Sequence, residues 1–158
     1  MRRVVAIPLT AISLLIIAGC ERWTLDRQME EFCRKDGGVT LYNTVVLPSN
    51  EFSKDGIPLA RYWRDPTLVG TTSRLGPSYR YVSRDETIKT GEPMKGEGRL
   101  TRYVEEIYRG EDGQLLGRSV SYGRAGGDLI VLEHFSTAGC PVSAKPLLTA
   151  VFIKGEQK

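Results

Sequence analysis

Hydrolytic, nucleophilic and metal chemistry each need side chains gathered at set spacings, and the carboxylates come first. They cluster as Glu30-Glu31, Glu105-Glu106 and Glu111-Asp112. A glycosidase works with two carboxyl groups held several ångströms apart across a cleft. These pairs read instead as a solvated helix face, two sides of one strand, and a turn. His134 is the single histidine and follows Glu133. Neighbours on a strand point to opposite faces, and a zinc site needs three or four ligands, so no metal site or acid/base pair is expected there. No serine lies in a Gly-x-Ser-x-Gly turn, and no Gly-x-x-x-x-Gly-Lys loop is present to cradle phosphates. No catalytic, cofactor-binding or metal residues are therefore assigned.

Arginine and tyrosine recur together, in Arg61-Tyr62-Trp63-Arg64, Tyr79-Arg80-Tyr81, Arg102-Tyr103, Tyr108-Arg109 and Tyr122-Gly123-Arg124. Aromatic platforms flanked by guanidinium groups can stack on sugars or bases. Against nucleic acid stands the balance of charge, 22 basic and 19 acidic side chains for a net +3, too weak a field to draw in a polyanion. Two readings of the Arg/Tyr pairs stay open: cross-strand packing with solvated ends, and a face for a glycan or peptide.

The most specific signal is at the N-terminus. Arg2 and Arg3 precede an apolar stretch from Val4 to Ile17, and the small pair Ala18-Gly19 leads directly to Cys20. A charged start, a short apolar run and small residues at its end are the parts of an export signal. The run is too short to span a bilayer well, which takes roughly 20 apolar residues, and Pro8 disfavours a permanent helix there. Ile17-Ala18-Gly19-Cys20 resembles the lipobox of bacterial lipoproteins, with isoleucine where leucine is usual. The resemblance implies cleavage before Cys20, a diacylglycerol thioether on Cys20, and usually an acyl chain such as palmitate on the new amine. Residues 1–19 would then be a signal peptide and 20–158 one periplasmic domain. An uncleaved anchor, or an ordinary export signal with a chance cysteine, is the rival reading. Glu21 stands where the family uses aspartate to retain a protein at the inner membrane, so the implied address is the periplasmic face of the outer membrane. Two lipid chains suffice for stable attachment at about 0.8 kcal/mol per buried methylene.

With Cys20 lipidated, two of the three cysteines remain, Cys33 and Cys140. In an oxidising compartment an even pair admits one disulfide, which over so long a loop is worth roughly 4–5 kcal/mol in the chain-entropy model. Two separate thiols are the alternative; neither has a Cys-x-x-Cys partner.

These residues need elements to hold them. Leu25, Met29, Phe32 and Cys33 fall on one stripe of a helix expected over Glu21 to Lys35, with Thr24 as N-cap and Gly37-Gly38 as its stop. Strands are expected at Val39 to Leu47, Tyr79 to Ile88, Asp128 to Phe135 and Leu147 to Lys154, with a turn at Gly139-Cys140-Pro141. The 17 glycines and 8 prolines favour many turns. Arg99 to Arg109 and Leu115 to Arg124 flank Glu111-Asp112-Gly113 as a hairpin with Gly113 left-handed. If Gly110 faces Gln114, the pairs are Tyr108 with Leu116, Glu106 with Arg118, Val104 with Val120 and Arg102 with Tyr122, all on one face. The Val104/Val120 face is expected to meet the core.

The sum is an α+β domain, an N-terminal helix packed on a mainly antiparallel sheet of about five or six strands. An all-β sandwich or small barrel is the alternative. The expected role is a membrane-tethered, non-enzymatic module that binds a protein or envelope polymer. A small cell-wall hydrolase, and an inhibitor lipoprotein that inserts the Thr90 to Gly98 loop into a lytic enzyme, are its competitors.

Overall fold

Alternation and turn chemistry are strongest between residues 79 and 125, and there the chain builds the centre of its sheet. In the computed structural model, residues 7–54, 56, 58, 62–63, 72–75, 78–128, 134–142 and 146–155 are described, of which 7–20, 62–63 and 72–75 as backbone only. A helix, α1 (Ile7–Asp36), leads into β1 (Gly38–Leu41) and β2 (Val45–Leu47). The short strands β3 (Tyr62–Trp63) and β4 (Thr72–Leu75) precede three long ones: β5 (Tyr79–Lys89), β6 (Arg99–Arg109) and β7 (Leu115–Ala125). Then come β8 (Thr137–Cys140), α2 (Leu147–Val151) and β9 (Phe152–Lys154). The main sheet runs β1-β7-β6-β5-β4-β3, antiparallel throughout, with β8 in line with β1 along the outer edge of β7. The strands β2 and β9 pair in parallel beside it. This is the expected α+β layering of helix on antiparallel sheet. The sheet stays open among the described residues, so the sandwich or barrel is not formed.

The hairpin keeps the expected pairs Val104–Val120, Glu106–Arg118 and Arg102–Tyr122, and Gly113 takes φ 69°. One pair differs: Tyr108 faces Leu115, not Leu116. The closing hydrogen bond runs from Arg109 N–H to the Gln114 carbonyl, 2.8 Å, so the loop holds four residues and the ladder absorbs the excess as a bulge. The bulge turns Leu116 to the face opposite Val104, where it packs with Ile107.

Several other expectations change. The helix does not begin at Thr24 but runs continuously from Ile7, because the apolar stretch carries good helix formers and Pro8 falls in the first turn, where its missing N–H costs nothing. Thr24 is therefore interior to the helix. Val39 to Leu47 breaks at Tyr42–Thr44: Tyr42 and Asn43 N–H both donate to the Leu116 carbonyl, and Asn43 Oδ1 accepts from Thr44 N–H, so the halves join different sheets. Of Asp128 to Phe135, residues 129–133 lie outside the described residues, and the neighbouring strand is β8. Cys140 ends that strand, antiparallel to β7, ahead of a cis bond to Pro141, and is not in a free turn. Leu147 to Lys154 divides into α2 and β9. Pro146 N-caps the helix, its carbonyl accepting from Ala150 N–H and Thr149 Oγ1. Leu147, Ala150 and Val151 then form a buried i, i+3, i+4 stripe.

The sheet is covered on both faces, at opposite ends. Leu25 and Met29 of α1 pack on Leu100, Val104, Val120 and Tyr122, the expected core face. On the reverse face α2 and β9 bring Leu147, Val151 and Phe152 onto Ile107 and Leu116, which was not expected. Gly117 permits that approach: a Cβ there would stand 2.7 Å from Val151 Cγ2 and 3.1 Å from Leu147 Cδ1.

Candidate functional site

The body of the domain holds α1 from the first residue after Cys20. Glu21 pairs with Lys89, whose Nζ also donates to the Gly98 carbonyl at 3.2 Å. Arg22 N–H donates to the Gly127 carbonyl at 2.9 Å. Gly127, at φ 83°, allows this, because a Cβ there would come within 3.3 Å of the Arg22 backbone. Leu25 lies against Gly98, a seat that any side chain would fill. The loop from Thr90 to Gly98 folds down onto the Gly126–Asp128 turn, with a 3-10 turn at Pro93–Lys95 and Pro93 buried. One turn along the helix, Asp26 accepts from Arg124 Nε at 2.5 Å. Only 1% of the Arg124 side chain is exposed, and its Nη1 also donates to the Gly126 and Ser136 carbonyls and to Ser136 Oγ. Two turns farther, Cys33 and Cys140 stand at disulfide-bonding distance, Cα–Cα 6.1 Å, joining α1 to β8.

Much of the arginine and tyrosine pattern is consumed in packing on the α1 face. Arg102 bridges Glu86 at 2.8 Å, Asp36 at 2.9 Å and Tyr122 Oη at 3.1 Å, and Tyr122 donates to Asp36 at 2.5 Å while stacking on Phe32. The Tyr122 hydroxyl, and behind it Arg102, hold the Asp36 carboxyl below its ordinary value. Glu106, 1% exposed, accepts two bonds from Arg118 at 2.8 and 2.6 Å, one from Arg84 at 2.8 Å and one from Tyr108 at 2.9 Å. The Arg80 guanidinium lies over the Tyr108 ring. These residues lie on neighbouring strands in register, where side chains opposite one another meet.

Burial alone would raise the Glu106 pKa; the bonds from Arg118 and Tyr108 and the charge of Arg84 outweigh it and leave the carboxyl below its ordinary value. A carboxyl with a depressed folded pKa adds stability above its unfolded pKa and loses it as pH falls through the folded value. The thermal midpoint of the wild-type chain is therefore expected to fall more steeply between about pH 5 and 3 than that of Glu106→Gln. Parallel curves in a calorimetric pH series would show that Glu106 does not supply this dependence.

The reverse face of β5, β6 and β7 is different in character. Beyond the end covered by α2 it forms an open groove of about 550 Å³. Asp85 and Thr87 come from β5, Arg99, Thr101 and Tyr103 from β6, and Thr137 from β8. The Tyr103 ring crosses Gly123, where a Cβ would stand 3.1 Å from Cε2, so the glycine gives the ring its bed. Ser83, Ser119 and Ser121 continue this face on the same strand alternation. Hydroxyls, one exposed aromatic ring, the Arg99 guanidinium and the Asp85 carboxylate suit a polar chain, a glycan or an extended peptide, through hydrogen bonds and stacking. Asp85 is the one carboxylate among the lining residues, where glycoside hydrolysis uses two.

The carboxylate clusters stay separate: Glu30 and Glu31 are exposed on α1, Glu105 accepts from Tyr81 Oη at 2.5 Å while Glu106 is buried on the other face, and Asp112 serves the hairpin turn. His134 is exposed. Among the described residues no group of three metal-ligating side chains occurs, and no helix is long and apolar enough to cross a membrane. Cys20 lies in the described backbone of α1, its side chain outside the described set. Of the groove residues, Tyr103, Gly123 and Arg124 belong to the Arg/Tyr pairs for which a glycan or peptide face was one reading, and Asp85, Thr87, Arg99 and Thr137 were not singled out from sequence. The only other signal is the polar alternate face of the hairpin, since the lining residues gather from four strands far apart in the chain. No family model, curated protein or solved structure gives a significant match to the chain.

Proposed function

We propose that the chain is an envelope lipoprotein, cleaved before Cys20 and lipidated there, whose residues 20–158 form a non-enzymatic binding module for a protein or envelope polymer. The observation that carries the reading is the position of the folded contacts relative to the lipobox. A helix starting at Cys20 has four N–H groups without partners in its own first turn. One of them, Arg22 N–H, is met by the Gly127 carbonyl from the turn after β7, and Glu21 is already paired with Lys89. The body thus grips α1 from the first residue after the cysteine and draws nothing from the leader for those bonds. The cysteine pair joining α1 to β8 fits an oxidising compartment, and the groove on the reverse face is the surface offered to a ligand.

The test is metabolic labelling with a radioactive fatty acid in a bacterial host. Wild-type chain should carry label, fractionate with membranes and run as the shortened form. Cys20→Ser should carry none, and either keep its leader or leave the membrane fraction. Label retained by Cys20→Ser would overturn the assignment.

A further inference from the structure

Helical spacing places position 20 on the same stripe of α1 as Trp23 and Arg27, three and seven residues on. That stripe lies opposite Leu25 and Met29, which face the sheet. Trp23 is 66% exposed, the most exposed large apolar side chain described on α1, and the Arg27 guanidinium sits 5.9 Å over its ring. Nothing in the packing of α1 on the sheet uses either residue. Trp23 stands only about 4.5 Å farther along the helix axis than position 20, and because Glu21 and Arg22 are bound to the sheet, no flexible spacer intervenes.

We propose that the first two turns of α1 after Cys20 form a membrane-contact surface, with Trp23 at the boundary between headgroups and acyl chains and Arg27 against lipid phosphates. This rests on the lipoprotein reading, which puts acyl chains on residue 20, and adds to it a fixed pose: the domain sits on the bilayer and does not swing from a tether. An indole with a polar N–H edge and an apolar body belongs at that depth, and a guanidinium over its ring still presents donors to phosphate. Arg27 Nε donates to Glu31 Oε1 at 3.2 Å, which leaves its other N–H groups for phosphate, and the contact ends there because exposed Glu30 follows and repels an anionic leaflet. The bilayer therefore meets the helix start, while the reverse face of the sheet remains open to a ligand.

The experiment uses the full chain produced in a bacterial host, purified in detergent and reconstituted into vesicles of phosphatidylethanolamine and phosphatidylglycerol, with or without bromine on the acyl chains near the headgroup. Intact mass first reports the lipid on Cys20. Wild-type emission is compared with that of Trp23→Phe, which leaves Trp63 as the remaining indole and changes an exposed site that the fold does not need. The Trp23 contribution, taken by difference, should be quenched roughly twofold or more by brominated lipid, as for an interfacial indole. Lipidated protein in which the two chains are quenched equally would overturn the docking pose and leave the lipoprotein reading standing. Unmodified Cys20 with the leader attached would bring down that reading, and the pose with it.

Discussion

Replacing Cys33 and Cys140 by serine is expected to lower the unfolding free energy by roughly 4–5 kcal/mol, the largest loss any change to this chain should produce. The pair closes a loop of 107 residues, so in the chain-entropy account nearly the whole domain is constrained in the unfolded state. The native side adds to this. Strand β8 is four residues long and lies on the outer edge of β7, which it shares end to end with β1, so it has few backbone bonds to hold it. The cysteine pair fixes its last residue to the C-terminal half of α1, and Arg124 holds the segment just before it through Ser136. Against a typical stability of about 5–15 kcal/mol, such a loss leaves a marginal domain. Guanidinium unfolding followed by circular dichroism, oxidised wild type against the double serine variant, measures it directly. Reducing the wild-type protein should give the same shift. Coincident unfolding curves in all three samples would show that the two sulfurs are not bonded.

How far this architecture is legible in the residues depends on the range of the forces that fix each part. The hairpin of β6 and β7 is local: period-two alternation and a glycine at the left-handed position suffice, and Val104–Val120 and Arg102–Tyr122 pair as the residues suggest. The stripe Leu25, Met29, Cys33 is equally local, and it meets the sheet. The bulge at Leu115–Leu116 is not, because Gly110 to Gly113 closes as well on Arg109 as one residue later. The choice is made by contacts outside the hairpin: Gly110 N–H donates to the Ser78 carbonyl, and the Leu116 carbonyl takes two N–H groups from the chain after β1. The helix α2 was hidden by composition, since threonine and valine suggest a strand; its one signal was Pro146 followed by apolar residues at i, i+3 and i+4. The groove is signalled only in part by residue type, through the polar alternate face of the hairpin and Tyr103. Threonines, a glycine and single charges acquire meaning only when four strands bring them to one face. The buried arginine is the converse case, since Tyr122-Gly123-Arg124 resembles the other Arg/Tyr pairs in sequence and only the helix laid across it reveals its role.

Arg124 is accordingly the second place where a single change should cost most. Its side chain is almost wholly enclosed, and its donors serve three separate segments: Asp26 on α1, the Gly126 turn that seats the helix start, and Ser136 at the entrance to β8. Arg124→Met keeps the apolar stem and removes the fork. It strands the Gly126 carbonyl, leaves the Ser136 carbonyl with the Gly126 N–H alone, and leaves Asp26 without its closest cation, with Arg22, at 3.7 Å, too exposed to replace it. Asp26 is 29% exposed and can be rehydrated, so the loss comes mainly from the buried oxygens left without their donor, about 1–3 kcal/mol. Arg124→Lys should recover only a small part, because a point charge cannot reach three directions at once. The loss should also be local in its first stage: amide hydrogen exchange in Arg124→Met is expected to speed up at Arg22 and along β8, before it does so at Val104 and Val120. Unchanged stability, or exchange that rises uniformly across the sheet, would mean that the helix is held by its apolar stripe alone and that the buried fork adds nothing to its seat. With the fork in place, the residue after Cys20, the turn beneath it and the edge strand behave as one unit, so a lipid on residue 20, if the proposed processing holds, would be tied to the orientation of the sheet.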